Sequence, residues 1–335
     1  MAIPEKVLTE PVTLPKTGTW PETRHQFDEK SLWAIKAAVA AERPLLVRGE
    51  PGTGKSQLAR AAAYYLGRAF ISEVVHSRSE CQDLQYYFDA VARLGAAQTL
   101  GLIGAVGDTI KDLLPDSERN MKNPLDPICF LNPGALWWAF NWTAAEKQYA
   151  KSNKAARRPE KPVDWTSEQG TVLLIDEIDK ADADLPNGLL ETLGNGSFSV
   201  PHMDEPVQVN EGDPVPLVVI TTNEERELPA AFIRRCMVLH LDLPKGDDKL
   251  INWLCERGKV HFGDQCHMDV RKEAATQLVK DRKEAEKLNL PTPGQAEYLD
   301  ILRAVVGIAK EDKDEQLKTL TAISHFALVK YERVP

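Results

Sequence analysis

The sequence lacks what would place it in a membrane, a secreted scaffold or a uniformly basic coat on nucleic acid. Its 335 residues hold no long apolar run, and the purest, Leu100 to Val106, is far too short to span a bilayer. The start, MAIPEKVLTEPV, has no basic segment followed by an apolar one, so a secretory leader is not expected. The five cysteines (Cys81, Cys129, Cys236, Cys255, Cys266) are odd in number, scattered, and without a Cys-x-x-Cys pair. This argues against a disulfide framework or a zinc site and for reduced thiols in a cytoplasmic protein. Cationic excess is missing too. With 41 Lys and Arg against 50 Asp and Glu, the net charge is −9, and any affinity for a polyanion would have to be local.

What is present is ordinary globular composition, 43% hydrophobic and 27% charged, enough to build a core without staples. The length suggests two domains, or a large one with a smaller companion. Residues 1–20, with Pro4, Pro11 and Pro15, read as an extended arm. From Glu29 to Ala41, Leu32, Ile35 and Val39 fall at helical spacing. Short, mostly apolar runs then recur: Leu45–Val47, Phe70–Val75, Val172–Ile175, Leu217–Ile220 and Val238–Leu241, with Val172–Ile175 the clearest. Strands covered on both faces look like this. Between them lie apolar stripes at helical spacing, Leu58 to Leu66 closed by Gly67 and Leu185 to Leu193 closed by Gly194. The alternation predicts an α/β fold, a parallel sheet with helices on both faces. Residues 245–335 lack such runs and are rich in Lys, Glu, Ala and Leu, which predicts a small all-helical domain.

The segment Gly49-Glu50-Pro51-Gly52-Thr53-Gly54-Lys55-Ser56 fits the pattern GxxxxGK[ST], with an apolar strand before it and a helical stripe after it, and these eight residues with Gln57 are expected to bind the nucleotide. Glycines allow positive φ, so consecutive backbone N–H groups can turn inward onto phosphate oxygens. The helix N-terminus adds partial positive charge. Lys55 would supply a full charge to the β- and γ-phosphates, and Ser56 a hydroxyl to Mg²⁺.

A second signal is independent of the first. The run Val172–Ile175 ends in Asp176-Glu177, at the strand tip where open α/β sheets bind ligands. Asp176 is expected to hold Mg²⁺ and Glu177 to polarise the attacking water. Asp179 and Asp182 are expected at the start of the following helix. Asn223, after the run 217–220, can orient that water. Arg234 and Arg235 precede the last strand. Either guanidinium can neutralise charge on a transferring phosphoryl group, and if they face outward they would act on a neighbour's nucleotide.

Together GEPGTGKS, LLIDEIDKAD, ITTNE and AFIRRC, in this order, resemble the AAA+ ATPases, specifically the MoxR-like, helix-2-insert branch, over about residues 25–335. The resemblance implies a P-loop NTPase core over 21–244, a helix-2 insert at about 84–130, a variable insert at about 143–168 and a helical lid over 245–335. SECQDLQYYFDAVAR looks like the start of the helix-2 insert, and residues 197–216 sit where the branch carries a β-hairpin before the sensor strand. It implies ATP and Mg²⁺ as cofactors, Lys55 and Ser56 in Walker A, Asp176 and Glu177 in Walker B, and Asn223 as sensor 1. Arg235 best matches the arginine finger, with Arg234 second. A ring is implied, usually a hexamer. One feature departs: where relatives often carry a sensor 2 arginine, the chain has Thr292-Pro293-Gly294-Gln295-Ala296, with no arginine. Arg303 is read as a surface helix residue.

Three functions follow. The resemblance implies a chaperone-like ATPase that remodels or assembles a protein client, often beside a von Willebrand factor A-domain partner. McrB-like relatives imply a nucleic-acid-linked or phage-defence motor, although no Asn-Lys-x-Asp guanine signature is present at Asn153-Lys154-Ala155-Ala156. The missing lid arginine suggests a switch that holds ATP and hydrolyses it poorly. Lys147, Lys151, Lys154, Arg157, Arg158 and Lys161 read either as a solvated insert or as a surface for an acidic partner or nucleic acid, without a nucleic-acid-reading motif. Leu94 to Val106 reads as packed on its own insert or as facing a partner or pore. Trp137 and Trp138 read as core.

Overall fold

A computed structural model describes residues 10–106 and 124–327, with side chains given to residue 100 in the first stretch and to 324 in the second. Residues 1–9 of the expected arm, 107–123 of the helix-2 insert, the far end of Leu94–Val106 and the last residues of the lid therefore lie outside the described residues or side chains.

The chain opens with strands β1 (Val12–Leu14) and β2 (Thr23–His25), paired antiparallel. Helix α1 (Glu29–Ala40) follows, started by Asp28, whose carboxylate accepts the Ser31 N–H at 2.8 Å. Then come β3 (Leu45–Arg48), α2 (Lys55–Leu66) and β4 (Ala69–Val74). The next stretch holds α3 (Cys81–Gln85), β5 (Tyr86–Phe88), α4 (Ala90–Val106), β6 (Leu131–Pro133), α5 (Ala135–Phe140) and α6 (Trp142–Lys151). After these run β7 (Thr171–Asp176), α7 (Asp184–Asn195), β8 (Ser197–Phe198), β9 (Val207–Gln208), β10 (Leu217–Thr222), α8 (Ala230–Arg235) and β11 (Met237–His240). Four helices close the chain: α9 (Asp247–Phe262), α10 (Met268–Lys287), α11 (Gln295–Ala309) and α12 (Lys313–Ala327).

Strands β11-β3-β10-β7-β4 form one five-stranded parallel sheet in that spatial order. Successive side chains leave a strand on opposite faces, and the core divides accordingly. Leu45, Val47, Val172, Leu174 and Val219 pack against α1 and α2, while Leu46, Leu173, Ile175, Val218 and Ile220 pack against α5 and α7. Trp137 and Trp138 are wholly buried in the second layer. The helices after β11 bury a core of their own around Leu254, Leu278, Tyr298 and Leu302.

Two details add to these readings. The described residues of the expected arm, 10–20, pack against the domain. Leu14 is fully buried in the first core layer, and Arg60 of α2, 3% exposed, donates to the carbonyls of Pro21 (2.8 Å) and Pro15. A buried guanidinium requires acceptors, and this backbone supplies them. Helix α7 also runs past Gly194. Gly196, at φ +61°, takes the left-handed cap instead.

Candidate functional site: a phosphate cradle facing two acids

Strand β3 ends where the phosphate loop begins, and α2 starts at Lys55 directly after Gly54, at φ +91°. No side chain caps α2, so the loop's N–H groups and the helix N-terminus stay available to an anion. Gly49 is required by close approach: a Cβ there would lie 2.5 Å from the carbonyl oxygen of Leu241. Lys55 is 6% exposed, and its ammonium donates to the carbonyls of Gly49 and Glu50, each at 2.8 Å. Burial pulls its pKa below the usual lysine value, and Asp176 pulls it back up. A triphosphate would add negative charge where this ammonium needs it.

The acids arrive from β7, and their setting depends on β10 beside it. Ser56 Oγ donates to Asp176, 2.9 Å from each carboxylate oxygen. Thr221, on β10, donates its hydroxyl to Asp176 Oδ1 and accepts the backbone N–H of Glu177 at 2.9 Å. Glu177 takes a left-handed backbone, φ +60°, a conformation that costs energy in a residue with a Cβ. The Thr221 bond helps to hold it there. The Glu177 carboxylate pairs with Lys180 Nζ at 2.7 Å.

Asp179 differs from its expected role at a helix start. It is 2% exposed, and its Oδ2 accepts the N–H groups of Asn223 (3.1 Å) and Glu225 (2.9 Å). Helix α7 has no side-chain cap, and Asp182 faces Arg226 at 3.2 Å. The turn after β10 leaves backbone donors that the buried carboxylate satisfies. Asp179 thereby fixes the backbone that carries Asn223.

Lys55, Ser56, Gln57, Asp176, Glu177 and Asn223 share one cavity of about 580 Å³, in the range of ligand sites. Its far wall joins β2 and the residues after it to α9. Arg257 donates to the Gln26 carbonyl at 2.8 Å, and Arg24 to the Val260 carbonyl at 3.3 Å. Burial first, then Arg257, pushes His25 down to about 3 and His261 down to about 4, so both rings are neutral at pH 7. Arg234 and Arg235 are not brought to this cavity. They lie exposed in the last turn of α8 and make no ion pair with a described residue. Arg303 is exposed and pairs with Asp300.

The donor set fits a magnesium-bound nucleotide. A hydroxyl and a carboxylate converge beside a lysine-bearing cradle. Among the described residues no cluster of three or more metal-binding side chains exists, and magnesium is typically held by one or two protein ligands with phosphates and water completing its shell. The roles of Thr221 and the His25–His261 wall escaped the sequence reading, and Asp179 was read only as serving the next helix. Only Thr221 left a signal there, the first hydroxyl after the apolar run Leu217–Ile220.

A parallel sheet, a glycine-lined cradle at a strand tip and an acid pair on a nearby strand define a P-loop NTPase with a helical lid. The profile of the AAA ATPase domain family matches residues 31–201, slightly more than half of the chain. The chain belongs to that family. Solved structures of similar fold include a proline-to-glycine mutant of Thermotoga maritima RuvB, at 14% identity over 88% of this chain and 69% of that one, with a TM-score of 0.45. The Thermotoga maritima RuvB Holliday junction branch migration motor is 15% identical over 88% and 67%, with a TM-score of 0.40. A candidate ATPase from Cytophaga hutchinsonii is 12% identical over 89% and 79%, with a TM-score of 0.36. No curated protein matches the sequence. No helix among the described residues is long and apolar enough to cross a membrane.

Proposed function

We propose that the chain binds and hydrolyses ATP with Mg²⁺ as a MoxR-like member of this family. In this reading it works in the cytoplasm as a ring, six subunits by family habit, and uses lid movement to remodel or assemble a protein client. The observation that carries the hydrolytic part is the bonded series Ser56–Asp176–Thr221–Glu177 beside the buried Lys55. Lys55 exchanges its two carbonyl partners for phosphate oxygens. Ser56 and Asp176 would hold the metal, which screens phosphate charge when bound. Glu177 leaves Lys180 and accepts the proton of the attacking water, while Asn223 orients that water on a backbone held by Asp179. Arg235, or Arg234, then acts at the neighbour's cleft, which agrees with its outward position.

Two features support the MoxR-like branch. A β5–β6 ribbon that carries α4 interrupts the chain between α3 and α5, where a helix-2 insert belongs. The antiparallel β8–β9 pair lies just before β10, as the branch's hairpin would.

The test is steady-state phosphate release with and without Mg²⁺, alongside binding of a fluorescent ATP analogue. Glu177→Gln is expected to bind nucleotide and to lose hydrolysis. Persisting hydrolysis would overturn its role. Turnover stimulated by DNA or RNA would favour the motor reading, and turnover below about 10⁻³ per second the switch.

A further inference from the structure

The lid stretch Thr292–Ala296 has no arginine, yet a lid arginine meets the phosphate loop from another helix. Arg282, in the C-terminal part of α10, is 8% exposed. Its Nη2 donates to both carboxylate oxygens of Glu50, at 2.8 and 3.2 Å, and its Nη1 donates to the Pro293 carbonyl at 2.9 Å. The same junction is tight. A Cβ on Gly294 would lie 3.1 Å from the Pro51 carbonyl oxygen, and one on Gly52 would lie 3.0 Å from the Ala296 methyl. Glu50 therefore carries two bonds of different kinds. Its carbonyl accepts from Lys55, and its carboxylate accepts from the lid.

We propose that Arg282 is a positioning residue for hydrolysis, tying the lid to the phosphate loop through Glu50. The inference rests on the ATP reading above. Lys55 cannot serve the Glu50 carbonyl and a phosphate with the same N–H. When the ammonium turns, the Glu50 peptide loses a partner while its carboxylate stays held. The change passes through Arg282 to the Pro293 carbonyl, just before α11. A planar guanidinium can hold a carboxylate and a carbonyl at once, and a single ammonium nitrogen holds both less well. The sequence position that relatives use for lid coupling is empty of cation, and Arg282 supplies that coupling indirectly, acting on the loop rather than on phosphate.

The experiment compares the full-length chain with Arg282→Ala, Arg282→Lys, Glu50→Gln and the double variant Arg282→Ala/Glu50→Gln. Each is followed by ATP turnover, by binding of the fluorescent ATP analogue and by thermal melting. Arg282→Ala is expected to lower kcat about tenfold while the Kd moves about twofold, because the cradle's own N–H groups and Lys55 remain. Arg282→Lys should stay near the alanine level. The double variant should be no slower than the slower single variant, as expected of two residues that act through one bond. Equal turnover in wild type and a folded Arg282→Ala overturns the proposal, as do effects that multiply in the double variant. If Arg282→Ala does not fold, Glu50→Gln decides by the same split between kcat and Kd, since its side chain is half exposed. A wild-type chain that neither binds nor hydrolyses ATP removes the ATP reading itself. A working wild type with an unaffected Arg282→Ala removes only the tie.

Discussion

The two walls of the cleft are built differently. On the sheet wall, Ser56, Asp176, Thr221 and the Glu177 backbone are bonded in series, and the strands behind them, β7 and β10, are buried and largely apolar. On the lid wall, contact with the phosphate loop rests on the Glu50–Arg282 pair and the close approach of Gly294 and Ala296, and the cavity's far side carries the neutral rings of His25 and His261. Charge that must be stabilised during a reaction gains most from groups that do not have to reorganise. A lid must move, so its bonds to the core have to be breakable at modest cost. Fixed chemistry on one side and breakable contact on the other is what an ATP-driven conformational cycle requires.

The largest expected effect probes the sheet wall. Glu177→Gln should slow phosphate release about 10²- to 10⁴-fold, far beyond the roughly tenfold effect expected of the lid tie. Equal effects on the two walls would erase the contrast. Next is Asp179→Ala, which removes the buried acceptor of the Asn223 and Glu225 N–H groups in a half-buried turn. It should cost about 1–3 kcal/mol in denaturant melts, and a cost near zero would mean that water replaces the carboxylate.

The third expectation separates the walls by pH. His25 and His261 take up protons only near pH 3 and 4, whereas the unfolded chain takes them up below about 6.5. Protons therefore favour the unfolded state in between. Their contribution is complete above pH 6.5 and is lost as the pH falls toward 4, at no more than about 1.4 kcal/mol per pH unit per ring. Melts at pH 7 and pH 5 should show this slope, and His25→Gln/His261→Gln should flatten it. An unchanged slope in that variant would assign the sensitivity elsewhere. The smallest effect is expected in the basic insert, where Lys147 and Lys151 are exposed on α6. Their joint replacement by alanine should change stability by less than about 0.5 kcal/mol, and a larger loss in thermal melts would show that this surface packs rather than faces solvent.

The glycine-lined loop was legible because its pattern lies in eight consecutive residues between a strand and a helix. Asp176 and Glu177 were legible because an acid pair ending a fully apolar strand stands out. Asp179 was misassigned for a related reason. An acid before a helix usually caps it, and nothing in the local sequence reveals orphan donors after β10. Thr221 sits in the same register as the acids only because β10 lies beside β7.

The order of residues along the chain was enough to determine the parallel α/β layer, the cradle, the acid pair and the helical tail. Each depends on side-chain alternation or on neighbours within a few positions. The tertiary structure alone decided that Leu14 and Arg60 hold the described part of the arm, residues 10–20, against the domain, that Thr221 links the two acids, and that Arg282 reaches Glu50 across 232 positions. Those contacts join segments whose meeting depends on which strands neighbour each other and where the lid comes to rest, and no local pattern carries that information.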